Sequence, residues 1–520
     1  MKKVVSLVLC LAVLLAVMVL PAFAEEERCG GTLVVRINGD PVSFNPSVSS
    51  DDNLYKPAQN FYNRLVKLDA SKQIIPDAAE SWDVSEDGMT ITFHLRQDMY
   101  WTDGEALDAE DVAYTFTYIK EHSTCYFSSK MSNVTSVEAV DPYTVVFNMA
   151  EPDVSIIARL GWYGTFILPE HVFNNGQEWA DNPASTTPTV TSGPFTFVEY
   201  KQGESITLAA NPNYFGGCPQ VDTVVFSIIA DSETAVQALL NGEIDELASM
   251  PTSYVEQLMA DDSVVLALNE YPSPIRIVFN CLDEKISDQA LRTAISMCID
   301  REDISAKATA GIMPPEYAMY PSLIAWASNT EDVAPAFSVE NAEKTLVDAG
   351  YTKDADGYYV RGLTIDVFSS SAYYADAVKL IAANCAKAGI ELSVNVLEYN
   401  SWSQKVGTER NFQLEMQGGF MGPDPSAMRD RIGTGQGSNY SGYSNAEVDE
   451  LLQKAVATGV TEERAGYFKA VQKILAEELP YVNILAYAGY DAHGANVENL
   501  PIDGTGKWGW NEYTYTRFVD

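Results

Sequence analysis

The chain is predicted to be an α/β protein of two or more domains. Its 520 residues exceed what one hydrophobic core encloses. Strand-like and helix-like segments alternate at the spacing of βαβ units, which argues for a largely parallel sheet. No low-complexity tract or short repeat interrupts them, and 46% apolar residues with 28 tyrosines supply material for more than one core.

The first element is an export signal. Lys2 and Lys3 precede a run from Val4 to Leu20 in which only Ser6 is polar, and Pro21, Ala22 and Ala24 close it. Residues 1–24 are expected to be cleaved, leaving a periplasmic or extracellular protein that begins at Glu25. No lipid anchor is expected, because Cys29 follows three glutamates and an arginine and Cys10 follows Leu9. No later segment is long and apolar enough to span a bilayer. Loss of Lys2 and Lys3 from the 33 basic residues leaves 31 against 72 acids, a mature charge of −41. Such a surface repels nucleic acid and anionic membranes. The six mature cysteines, Cys29, Cys125, Cys218, Cys281, Cys298 and Cys385, are spaced too widely for a metal ribbon; their even number permits disulfides.

The remaining elements follow in order. "GGTLVVRI" (30 to 37) reads as the first strand, and a Pro- and Ser-rich loop then leads into the helical "LYKPAQNFYNRLVKL". After the turn at Glu86-Asp87-Gly88, Ile91, Phe93 and Leu95 alternate with polar residues, the pattern of a strand with one buried face. Asp108, with Asp111 three residues on, predicts a capped helix running to Lys120. "SGPFTFVEYKQGESITLAANPNYF" (192 to 215) predicts a hairpin, "VDTVVFSII" a strand, and "SETAVQALLNGEID" a helix stopping at Gly242. "IRIVFN" (275 to 280) predicts a strand crossing into a second lobe. Beyond it come the helix "SDQALRTAISMCID", then from about 335 helix, strand, helix and strand, the loop "GGFMGPDPSAM" (418 to 428), two helices and a mostly aromatic end.

Motifs for catalysis are missing. The histidines His94, His122, His171 and His493 are scattered without metal-ligand spacing, and there is no nucleophile elbow, P-loop or dinucleotide fingerprint. The acids at Asp354 and Asp356 do not complete a calcium loop. Paired carboxylates of a secreted glycoside hydrolase remain open among 72 acids, since such a pair is defined by separation in space.

"AAESWDVSEDGMTITFHLRQDMYWTDGEALDAEDVAYTF" resembles the diagnostic block of the family 5 extracellular solute-binding proteins, the peptide, nickel and opine binders of ABC importers. "RTAISMCIDREDI", "AEKTLVDAGY", "AKAGIELSV" and "YSNAEVDELL" follow in the family's order, so the resemblance covers nearly everything from Gly30 onward. It implies a type II periplasmic-binding-protein fold, with two α/β lobes around a ligand cleft and an extra subdomain in the first lobe. The implied divisions are 25–73 and 188–277 for the first lobe, 74–187 for the extra subdomain, 278–485 for the second lobe, and 486–520 returning to the first. The implied activity is cleft closure on a short peptide or related small solute and delivery to an ABC permease by a monomer, with no enzymatic step and no cofactor or metal. A non-peptide solute, such as an oligosaccharide, opine or metal chelate, is the alternative within the class.

The same resemblance marks candidate ligand-binding residues. In oligopeptide binders a Trp, and an Asp three residues later, occupy the loop matching "GGFMGPDP", and that Asp pairs with the ligand's ammonium group. Here Phe420 holds the Trp position and Pro423 the Asp position, so Asp424 either supplies the charge from one residue away or starts the "DP" turn. Tyr399 matches an aromatic pocket residue and Gln417 an arginine position. Tyr271 and Arg276 match two ligand-facing tyrosines; Arg276 would offer a planar donor fork to a carboxylate or phosphate, or pair with one of the many acids. Ser50 and Asp52 occupy ligand-facing positions after the first strand, and Trp101 and Tyr126 are further candidates in the extra subdomain.

Overall fold

Apolar alternation sets the first strand: Leu33, Val35 and Ile37 of β1 (Thr32–Ile37) are buried. The computed structural model describes residues 30–49, 51–69, 73–162, 164–369, 372–419, 421–422, 424–501 and 512–519. The signal segment, Cys29, Ser50, Phe420 and Pro423 therefore lie outside the described residues. α1 (Asp52–Phe61) follows, capped by Asp51, whose side chain accepts from the Asn53 amide.

Next come β2 (Ala79–Val84), β3 (Thr90–Leu95), α2 (Ala109–Glu121), β4 (Val134–Asp141) and β5 (Thr144–Met149). The four strands form an antiparallel sheet in the order β2-β3-β5-β4. Ile91, Phe93 and Leu95 face inward as the alternation predicts, and Phe93 and Phe116 each meet the Phe147 ring at 5.4 Å. Asp108 and Asp111 form a reciprocal capping box at the start of α2. Asp111 also accepts from Trp101 Nε1 at 2.9 Å and from the Glu170 amide at 2.8 Å. Trp101 is thus fully engaged inside this unit, which corrects its reading as a ligand-facing residue.

The hairpin β6 (Phe195–Lys201) and β7 (Ser205–Ala210) leads to β8 (Thr223–Ile228), α3 (Ser232–Leu240), β9 (Glu246–Leu247) and the 16-residue β10 (Val264–Phe279). The second half contains α4 (Gln289–Met297), α5 (Val339–Asp348), β11 (Val360–Phe368), α6 (Ala372–Lys387), β12 (Ile390–Leu397), β13 (Leu414–Gln417), α7 (Ala427–Ile432), α8 (Ala446–Ala457), α9 (Thr461–Glu478) and β14 (Tyr481–Gly494). Ten strands make one sheet in the order β12-β11-β13-β10-β14-β9-β1-β8-β7-β6. β1 pairs in parallel with β8 and β9, as β11 does with β12 and β13. The other five pairings are antiparallel, so the sheet is mixed rather than largely parallel. Two of these come from the β6–β7 hairpin and its pairing with β8; the other three involve β10 or β14, which run out and back between the two halves and pair with each other along nearly their whole length.

Their ladder shifts register twice, and the larger break lies near its middle, one residue before the smaller shift between Ile275 and Arg276. Glu270 faces Ala488 and Pro274 faces Ala486, leaving Tyr271, Pro272 and Ser273 opposite Tyr487 alone. The apolar cores divide at this break. One gathers Leu33, Phe61, Phe93 and Phe226, and a small one joins Leu247, Val264 and Ala492. Another gathers residues from Ile275 to Leu485. The last described segment returns to the first half, where buried Tyr513 donates its amide to Asn60 Oδ1 at 2.9 Å.

Candidate functional site

Parallel strands start their connections on one edge of a sheet, so the C-terminal ends of β11, β12 and β13 place three loops side by side near the break. Aromatic side chains gather there. Phe368 ends β11, with the Tyr374 ring at 4.7 Å, Trp402 at 4.9 Å and Tyr399 at 5.6 Å. Across the break the Tyr271 and Tyr487 rings stand 5.5 Å apart. Tyr399 is 53% exposed and Tyr487 39%, whereas Tyr271 is buried. The loop after β13 threads between these groups. A Cβ on Gly418 would lie 2.5 Å from the Tyr374 hydroxyl, so a larger residue there would have to displace that ring, and the Met421 amide donates to Pro272 O at 3.0 Å.

Behind this rim the polar face of the sheet is covered. Arg276 on β10 pairs directly with Gln417 on β13, and Glu415 lies opposite Asp366 on β11, which puts all four side chains on one face. Leu414 and Met416 point the other way, into the second core. Gln417 Nε2 donates to Glu415 Oε1 at 2.7 Å, and Lys405 bridges both oxygens of Asp366 at 2.7 Å. Burial, opposed by Arg276, pushes the Glu415 carboxyl up to about 8. Burial and then the neighbouring Arg431 hold Arg276 down at about 9. Arg276 is only 3% exposed, donates to Met421 Sδ at 3.0 Å, and borders a void of about 20 Å³ shared with Gln417 and Arg431. In this conformation neither Arg276 nor Gln417 reaches an open cleft. Their strand positions aim them into the covered layer, where Arg276 donates to Met421 Sδ and forms no ion pair with an acid among the described residues.

The large cavity, about 630 Å³, lies between the unit built on β2 to β5 on one side and the loop following β13, α7 and the end of α8 on the other. One wall carries Tyr126, Phe127, Lys130, Arg159 and Trp162; the other carries Asp424, Ser426, Arg429, Arg431 and Val456. Tyr126 is exposed, and its amide donates to Ser47 O at 2.8 Å, joining this wall to the loop after β1. Asp424 is not free. Its oxygens accept from Arg464 at 2.7 and 2.9 Å, with 4% and 9% side-chain exposure for the pair, and Oδ1 also accepts from the Ser426 amide at 2.9 Å. The turn reading of "DP" accounts for that last bond, and Arg464, forty residues away, takes the charge. Arg464 Nε further donates to Ala455 O at 2.9 Å. Next to it, Val456 O accepts from the Val154 amide at 2.9 Å, which fastens the antiparallel unit to the end of α8.

Of the sequence candidates, Tyr399 and Tyr271 meet at the aromatic edge with Tyr487, Tyr374 and Phe368, which single residues did not signal. Asp52 lies exposed in the first turn of α1. Arg429 and Arg464 also escaped the reading, although "MRDR" right after the turn was a visible cluster of cations. Among the described residues no group of three or more His, Cys, Asp or Glu side chains is placed to hold a metal ion, and no helix is long and apolar enough to cross a membrane. The five described cysteines are free thiols.

Comparison with known proteins gives a match to the model of bacterial extracellular solute-binding proteins, family 5 middle, over residues 73–440. The chain is 27% identical over 498 residues to the oligopeptide-binding protein AppA of Bacillus subtilis, covering 92% of this chain and 89% of that one. It is 24% identical over 506 residues to the dipeptide-binding protein of Escherichia coli, covering 92% and 93%. It is 25% identical over 482 residues to haem-binding protein A of Haemophilus influenzae, covering 86% of each. Among solved structures, the unliganded open form of the murein tripeptide-binding protein MppA superposes with a TM-score of 0.82 at 20% identity, covering 94% of this chain and 98% of that one. AppA of Bacillus subtilis with a bound nonapeptide superposes with a TM-score of 0.70 at 24% identity, covering 95% and 100%. These likenesses establish the fold.

Proposed function

Because the chain belongs to the bacterial extracellular solute-binding proteins of family 5, we propose that it captures short peptides between two lobes and delivers them to the permease of an ABC importer. The observation that carries the proposal is the break in the β10–β14 ladder. The chain passes between the cores there in two paired strands, and an aromatic edge of Tyr271, Tyr487, Phe368 and Tyr399 lines it. A hinge in two strands lets the lobes close on a ligand without unpacking either core. Rings with a few polar groups make a wall for an extended ligand. The names of AppA and the dipeptide-binding protein support peptide as the ligand.

In this reading the first lobe comprises 25–73, 188–277 and 486–520, the second lobe 278–485, and residues 74–187 are the extra subdomain. The family's members are solute-binding transport proteins, and this chain acts without catalysis, as an exported monomer starting at Glu25. Isothermal calorimetry against dipeptide, tripeptide and longer peptide pools tests the proposal; absence of binding from every pool removes it. A second reading, a planar non-peptide ligand, draws on the stacked Tyr399 and Trp402 rings and on the haem-binding relative. A native mass spectrum of freshly purified protein separates the two by the mass retained.

A further inference from the structure

We infer that the 630 Å³ cavity receives the carboxylate of the ligand on the Arg429 guanidinium. The inference rests on the peptide-binding reading and names the group that decides one end of the ligand. The charge of the cavity is its first support. The whole chain carries 33 basic residues against 72 acidic ones. The cavity lining is balanced instead, with Lys130, Arg159, Arg429 and Arg431 against Glu151, Asp153, Asp424 and Asp430.

Most of these charges are spent within the protein. Asp424 is held by Arg464, Asp153 by Arg159, and Asp430 faces Lys130 at 3.7 Å. Arg431 lies in the covered layer beside Tyr440, Tyr481 and Arg276. Glu151 is an exposed acid on the opposite wall. Arg429 is half-buried on α7, and its guanidinium has no hydrogen-bond or ion-pair partner among the described residues. A partly desolvated cation without a partner carries a cost, and in so acidic a chain a partner would be easy to supply. Its planar donors match a carboxylate bidentately. Trp162 and Tyr126 on the facing wall offer apolar surface to the adjoining part of the ligand. Asp424, neutralised by Arg464, does not repel a carboxylate there, and it leaves the ligand's ammonium group to be met elsewhere.

The test is calorimetry of the full mature chain and its Arg429→Gln and Arg429→Lys variants. The probes are a tripeptide, the same tripeptide amidated at its C-terminus, and an amidated tripeptide ending in glutamate. The wild type is expected to bind the free acid about ten- to a hundredfold tighter than the amide, the range of charge-assisted hydrogen bonds. Arg429→Gln should erase that difference, with Arg429→Lys restoring part of it. If the amidated glutamyl peptide binds the wild type as tightly as the free acid, the carboxylate received is that of a side chain. An acid-to-amide difference that survives in Arg429→Gln, or equal losses for both peptides, overturns the inference while leaving peptide binding intact. A large fall in the melting temperature of ligand-free Arg429→Gln also overturns it, because an unpartnered side chain should not support the fold. Failure of the wild type to bind any of the three peptides removes the peptide reading itself.

Discussion

Asp424→Asn separates a ligand anchor from a structural ion pair. The carboxylate has almost no solvent contact, its two oxygens accept from Arg464 at 2.7 and 2.9 Å, and Arg464 is nearly as buried. Asparagine keeps one acceptor for the Ser426 amide but loses the charge and turns an NH₂ group toward a guanidinium that can only donate. Arg464 then keeps Ala455 O and, at most, a neutral amide oxygen shared with the Ser426 amide in place of a carboxylate. Breaking a buried pair from one side costs about 3–5 kcal/mol, or two to nearly four orders of magnitude in the folded-to-unfolded ratio at about 1.4 kcal/mol per tenfold. Urea unfolding of the ligand-free protein, followed by tryptophan fluorescence, reads this directly; Trp326 lies 5.5 Å from the Arg464 guanidinium and reports on the same site. Adding Arg464→Met should recover much of the loss, since it removes the uncompensated charge. If Asp424→Asn unfolds at the wild-type urea concentration yet loses peptide affinity, the reasoning fails and Asp424 is the ligand's partner after all.

Three further outcomes are expected. Glu415, raised by burial to about 8 from 4.5, keeps a proton in the folded chain that the unfolded chain has released. Its contribution is therefore full below 4.5 and is lost as pH rises through 8, so Glu415→Gln should gain on the wild type in melting temperature between pH 5 and pH 8. Tyr399→Ala removes an exposed ring that meets Phe368 and Trp402; calorimetry should show weaker ligand binding while unfolding shows a loss of about 1 kcal/mol or less. Val154→Pro deletes the donor to Val456 O. Hydrogen exchange should then rise on both sides of that contact, around 152–156 and 455–459, at a cost of about 1–3 kcal/mol.

Much of the architecture was legible because local signals do not depend on distant partners. The alternation of Ile91, Phe93 and Leu95, the Asp108–Asp111 cap and the helices of the second half all appear where their patterns put them. The mixed character of the sheet was not legible, nor was β14. Its strand Tyr481–Gly494 lies in a stretch that reads only as aromatic, and its pairing with β10 joins residues more than two hundred positions apart. The site divides in the same way. Tyr399 was marked by its place in a recognisable block. Tyr487 became a candidate only once the broken ladder set it opposite Tyr271. Arg276 is a cation in a promising strand by sequence, but the pleat turns it into a covered layer with Glu415 and Gln417.

By itself the sequence determined the family, the acidic composition and most of the regular elements, because propensity, patterning and motif order are properties of neighbouring residues. Tertiary structure decided which charges are available to a ligand. Whether an acid or an arginine is free depends on who stands within hydrogen-bond distance, and for Asp424 that neighbour, Arg464, arrives from a helix forty residues on, while Arg429 meets no partner among the described residues.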